Sequence, residues 1–113
     1  MLKIDAIIHP FKLEDVKATL QRLGIGPILI SEVREYGGLV QQKAFYRGAE
    51  YCADIPKVKL EMLVSSLHAD EVIEELSRAA RTTLPGDDGT ILVYEVADGI
   101  RIRSGSRIQY ALA

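Results

Sequence analysis

Three short stretches carry residues whose types and spacing could do chemistry. Near the end, "IRIR" places Arg101 and Arg103 two apart, with Ile100 and Ile102 between and before them. On a strand that spacing turns both guanidinium groups to one face, where a pair of forks suits a polyphosphate. The same pair also suits an exposed edge strand that uses charge against aggregation. "PGDDG", Pro85 to Gly89, is a glycine-rich turn whose backbone N–H groups can cradle an anion, although turns of this composition are common. "YRGAEY" sets Tyr46 and Tyr51 around Arg47, Gly48 and Glu50, in a stretch with neither helical nor strand periodicity.

The remaining reactive residue types are dispersed. His9 and His68 have no Cys or His at metal-ligand spacing, and no Ser/His/Asp or Cys/His arrangement is recognisable. His9 reads as the end of a strand and His68 as the residue before a helix. Cys52 serves equally as an inert thiol or a nucleophile. Glu14 with Asp15, and Glu74 with Glu75, read as solvated helix faces.

The elements that must position these residues follow from periodicity. "LKIDAII" alternates, with Leu2, Ile4, Ala6 and Ile8 on one face and Lys3 and Asp5 on the other, and predicts a strand closed by Pro10. Leu13, Val16, Leu20 and Leu23 recur at three- and four-residue steps, an amphipathic helix that Gly24 can end. Residues 28–36 read as a second strand. "KVKLEMLV" reads as a third, with Val58, Leu60, Met62 and Val64 on one face. Residues 70–81 predict a helix with Val72, Ile73, Leu76, Ala79 and Ala80 inward, and "TILVYEV" a last strand. The order β-α-β, β-α-β predicts a ferredoxin-like α+β fold with two helices on one face of the sheet.

In the last strand, Ile91 and Val93 point one way and Leu92, Tyr94 and Val96 the other. Two helices cover one sheet face, so either a partner chain covers the second or these are scattered surface hydrophobes. Residues 37–56 form a connection far longer than a hairpin needs, and such connections are usually functional or disordered. It is either a tolerated insertion folded onto the body or an interaction arm.

Composition sets the outer limits. The 113 residues predict a single domain spanning 1–113, with a loop at 37–56, a turn at 82–90 and a tail at 104–113. A net charge of −2 gives no global attraction to nucleic acid or anionic membranes. An RNA-reading module would also want aromatics on its central strands. One cysteine, no membrane-length apolar run and no signal-peptide core predict a cytoplasmic setting.

"KIDAIIHPFKLEDV", "YRGAEY", "PKVKLEMLV" and "IRIRSG", in that order over nearly the whole chain, resemble the PII nitrogen-regulatory signal-transduction family. The resemblance implies a homotrimer of ferredoxin-like subunits that is not an enzyme. Each subunit binds ATP or ADP in a cleft between subunits and projects a long loop. Carried over by position, it implies Gly37, Lys57, Glu61, Gly86, Asp87, Gly89, Arg101 and Arg103 at the nucleotide. Tyr46, Arg47, Gly48, Glu50 and Tyr51 become the partner-binding loop, with Tyr51 the tyrosine that a uridylyltransferase modifies in some members. A nucleotidyl group there adds bulk and negative charge to a docking surface. The implied partners are a target enzyme, a regulator or a membrane ammonium transporter.

Three positions depart from the family pattern. Leu39 stands where a glutamine helps hold Mg²⁺ and 2-oxoglutarate, so weak or absent 2-oxoglutarate binding is expected. Thr90 replaces a lysine, a loss of about 1.5–3 kcal/mol at a phosphate. Asp88 is an extra carboxylate, which beside Asp87 would repel phosphates unless a hydrated Mg²⁺ sits between them. A scaffold on the same fold with a degraded nucleotide site is the alternative. A small acylphosphatase-like enzyme would leave the long loop without a role.

Overall fold

The structure, a computed structural model, describes residues 1–37, 42–46, 49–83 and 88–108, with 42–46 and 49–53 described as backbone alone. Alternation of apolar and polar residues makes β1 (Leu2–Ile8) and β5 (Ile55–Val64) the two central strands. Ile4, Ala6 and Ile8 of β1 and Val58, Leu60, Met62 and Val64 of β5 are buried on the same face. With β2 (Leu29–Glu35) and β6 (Gly89–Glu95) they form an antiparallel sheet in the order β2-β5-β1-β6. This is the ferredoxin-like arrangement expected from the element order.

Helices α1 (Leu13–Arg22) and α2 (Ala69–Ala80) cover that face. Val16 and Leu20 of α1 and Val72 and Leu76 of α2 are buried, at the three- and four-residue spacing read from the sequence. Each such aliphatic side chain contributes about 1.5–3 kcal/mol by leaving water. A 3-10 turn at Pro10–Lys12 leads into α1, and acidic Glu14 and Asp15 occupy its first turn, where the helix dipole favours them. Gly24, at φ +72°, ends it. The Gly24 N–H donates to the Gln21 carbonyl and the Ile25 N–H to the Leu20 carbonyl, a Schellman cap.

The long connection differs from its expectation as unpatterned chain. It contains β3 (Gln42–Tyr46) and β4 (Ala49–Ala53), which pair with each other and with no strand of the main sheet. The register sets Tyr51 opposite Ala44 and Tyr46 opposite Ala49. A hairpin without a core beneath it has no reason to alternate apolar and polar residues, so period-two patterning does not reveal it. The radius of gyration is 17.0 Å, against about 13 Å for a compact chain of this size, and the longest dimension is 59 Å. The chain is therefore elongated.

Candidate functional site

Register brings several predicted residues to one end of the sheet. Ile8, the last residue of β1, sits between Val58 and Gly89. Lys57 pairs with Val33, and Gly37 lies two residues beyond the end of β2. Gly37 has φ +79° and open space around it, a freedom that suits the base of a projecting segment. Gly89, at φ +122°, begins β6 in close contact with β1: a Cβ there would lie 2.2 Å from the Ile7 carbonyl oxygen. Its first role is structural, since no other residue fits.

Lys57 is 2% exposed and has no ion-pair partner among the described residues. A buried cation is costly unless an anion meets it. Glu61, four positions further on the same face, is already engaged. Its carboxylate lies 2.9 Å from the Lys3 ammonium and 3.8 Å from that of Lys59. The hydrogen bond from Lys3 holds Glu61 below the usual carboxylate range and holds Lys3 above its ordinary value, against partial desolvation of both. Asp5, also buried, lies 3.4 Å from Lys3 and 3.7 Å from Lys59, and one of its carboxylate oxygens lacks a hydrogen-bond donor.

This charged network occupies the sheet face that the helices leave open. Residues opposite one another in the register share a face, so Leu29, Leu92 and Tyr94 flank it. All three are substantially exposed. The Lys3 ammonium also stands 5.5 Å from the centre of the Tyr94 ring, a cation–π contact. Charges alternating with apolar residues in "KID" and "KVKLE" are the sequence signal for this network, and only the strand register brings the two stretches together.

Arg101 and Arg103 require a correction. They do not lie on a strand, and no alternation sets them on a common face. The Ile108 N–H donates to the Gly99 carbonyl at 2.8 Å, the Arg101 N–H to that of Ser106 at 2.9 Å, and the Gly105 N–H to that of Arg101 at 2.8 Å. Gly105, at φ +72°, makes this tight reversal possible, and only Ile100 and Arg107 bridge as strand residues would. Asp98 and Arg107 form an ion pair at its base. Both arginines are exposed on this loop, and Ile102 between them is fully exposed.

The segment that carries the arginines leaves the sheet at the end opposite Lys57 and Gly89. The chain leaves β6 beside Leu2 and Met1, where the Val96 N–H donates to the Met1 carbonyl. Gly89 lies at the other end of that seven-residue strand, about 20 Å away.

Asp88 is not a bare charge. One carboxylate oxygen accepts from the Thr82 hydroxyl at 2.7 Å and from the Thr82 N–H at 3.0 Å. These bonds hold its carboxyl below the usual range, with smaller contributions from His9 and Arg81. His9 itself stacks on Phe11 with ring centres 5.4 Å apart. An open groove of about 320 Å³ lies beside Asp88, bounded by Ile7, Ile73, Ser77, Arg81 and Thr90 among others. Leu39, Arg47, Gly48, Gly86 and Asp87 lie outside the described residues, as do the side chains of Tyr46, Glu50 and Tyr51. No group of three metal-ligating side chains occurs among the described residues, and no described helix is long and apolar enough to cross a membrane.

Comparison with known proteins places this geometry. Residues 1–106 match the family model described as nitrogen regulatory protein P-II. The chain is 45% identical over 113 residues to the nitrogen regulatory protein P-II of Haemophilus influenzae, covering 99% of this chain and 100% of the relative. It is 43% identical over 108 residues to that of Rhodospirillum rubrum, covering 95% and 96%. To nitrogen regulatory protein P-II 1 of Escherichia coli it is 43% identical over 113 residues, covering 99% and 100%. The chain belongs to the nitrogen regulatory protein P-II family.

Proposed function

We propose that this chain is a non-enzymatic regulator that senses an adenine nucleotide, ATP or ADP, and passes the state of that site to partner proteins through the β3–β4 hairpin. The observation that carries the reading is Lys57, a buried cation without an ion-pair partner among the described residues, at the sheet end that also holds Gly37 and Gly89. A polyphosphate would supply an anion to that cation. Arg101 and Arg103 leave from the far end of β6, so a second copy of the chain is the natural source of the guanidinium groups. The cleft is then composite and the working form a homotrimer.

The hairpin meets a target enzyme, a regulator or an ammonium transporter, with Tyr51 as the tyrosine a uridylyltransferase would modify. Leu39 offers no oxygen to Mg²⁺, so 2-oxoglutarate adds little to nucleotide binding. Calorimetric titration with ATP, ADP and AMP tests the reading, repeated on Arg101→Ala and Arg103→Ala. Binding by the unaltered protein that weakens in each variant is expected. No binding of any of the three nucleotides would leave the family's fold as a scaffold.

A further inference from the structure

The turn beside the proposed nucleotide site is fastened by a contact that its extra aspartate makes. Thr82 follows the last turn of α2, where Arg81 has already become extended at φ −64°, ψ 138°. Asp88 immediately precedes Gly89, the residue pressed against the Ile7 carbonyl. The two hydrogen bonds from Thr82 to a single Asp88 oxygen therefore tie the exit of α2 to the entry of β6. Both anchors are fixed independently, one by the helix and one by β1, so the tie sets the spacing between them.

Two consequences follow from the chemistry of that tie. A carboxylate oxygen that accepts two donors presents less negative potential to an approaching anion than a free one. The groove wall beside it also carries the Arg81 side chain, whose guanidinium is a positive charge near Asp88. We propose that Thr82 and Asp88 form a clasp, and that Asp88 is a positioning residue for anion binding at the start of β6 instead of a charge set against the ligand. The proposal rests on the nucleotide reading for its ligand, but the clasp itself does not.

The discriminating pair of variants is Asp88→Asn and Asp88→Ala. Asparagine keeps an oxygen that accepts from Thr82 and removes the charge; alanine removes both. In the ligand-free protein, the Thr82 amide is expected to exchange with solvent at least about ten-fold faster in Asp88→Ala, and to stay close to the unaltered rate in Asp88→Asn and Thr82→Ser. ATP and ADP affinity by calorimetry should fall about ten-fold in Asp88→Ala, less in Thr82→Val, and stay within about three-fold in Asp88→Asn and Thr82→Ser. Unchanged Thr82 exchange in Asp88→Ala would overturn the clasp. Affinity that rises ten-fold or more in Asp88→Asn would show that the charge faces the ligand, which also overturns it. If the unaltered protein binds no nucleotide, the functional reading fails, while amide exchange still decides the clasp. Should Asp88→Ala fail to fold, Thr82→Val against Thr82→Ser carries the same comparison through the hydroxyl alone.

Discussion

Two single residues put opposite demands on the protein. Lys57 holds a charge in a nearly dry position, so under the proposed function its contributions to stability and to binding have opposite signs. Lys57→Met is expected to raise the stability of the ligand-free protein by about 1–3 kcal/mol in urea unfolding while weakening ATP at least about ten-fold. Loss of stability together with unchanged affinity would show the ammonium to be a structural group. Gly89 has no such latitude. Gly89→Ala drives a methyl group toward the Ile7 carbonyl at a φ that L-residues rarely adopt. A loss of about 1–3 kcal/mol is expected from the backbone strain alone, read by the same unfolding experiment.

At the scale of elements, α1 and α2 are joined by packing and by one exposed charge bridge. Glu75 of α2 accepts from Arg78 on its own helix and from Arg22 of α1, and these bonds hold its carboxyl below the ordinary carboxylate range. A lowered folded-state value means that the contribution is present above the unfolded carboxyl's titration and is lost as pH falls through the folded one. The urea midpoint of the unaltered protein should therefore drop more between neutral pH and about pH 3 than that of Glu75→Gln. Parallel pH profiles would show the bridge to be energetically silent, as many exposed pairs are. The hairpin makes a separate claim. Because β3 and β4 pair only with each other, replacing residues 42–53 with a short glycine–serine linker should change stability by less than about 1 kcal/mol. Regulation of any partner by the protein should disappear in the same variant.

Assembly belongs to the whole molecule. One sheet face is closed by helices; the other carries Leu29, Leu92 and Tyr94 around a balanced set of two lysines and two carboxylates. An apolar rim around neutralised charge is a surface that gains by being covered. Light scattering is expected to give three times the chain mass at micromolar concentration, and Leu92→Glu to shift it toward the single chain. A monomeric mass for the unaltered protein would remove the composite cleft along with the trimer.

How much of this was legible beforehand depended on whether a residue's neighbours were near it in sequence. The strands β1 and β5 and both helices were readable because burial on one face imposes a period, and Ile4, Leu60, Val16 and Leu76 all fall on it. The family was readable from ordered motifs such as "YRGAEY". The hairpin was not, since strands that pair only with each other need no apolar stripe. "IRIR" looked like a strand because alternation is a necessary sign of one and not a sufficient one: Gly105 and the Ser106 carbonyl turned it into a loop. The family resemblance put Lys57 and Glu61 beside one site; the tertiary structure adds that strand register gives Glu61 the Lys3 ammonium and leaves Lys57 without a counter-ion among the described residues. Asp88 changed most. By composition it is a second carboxylate in a glycine-rich turn, and by folding it is the acceptor for Thr82, six residues earlier. A sequence fixes which groups are charged; only the folded chain decides which of those charges already has a partner.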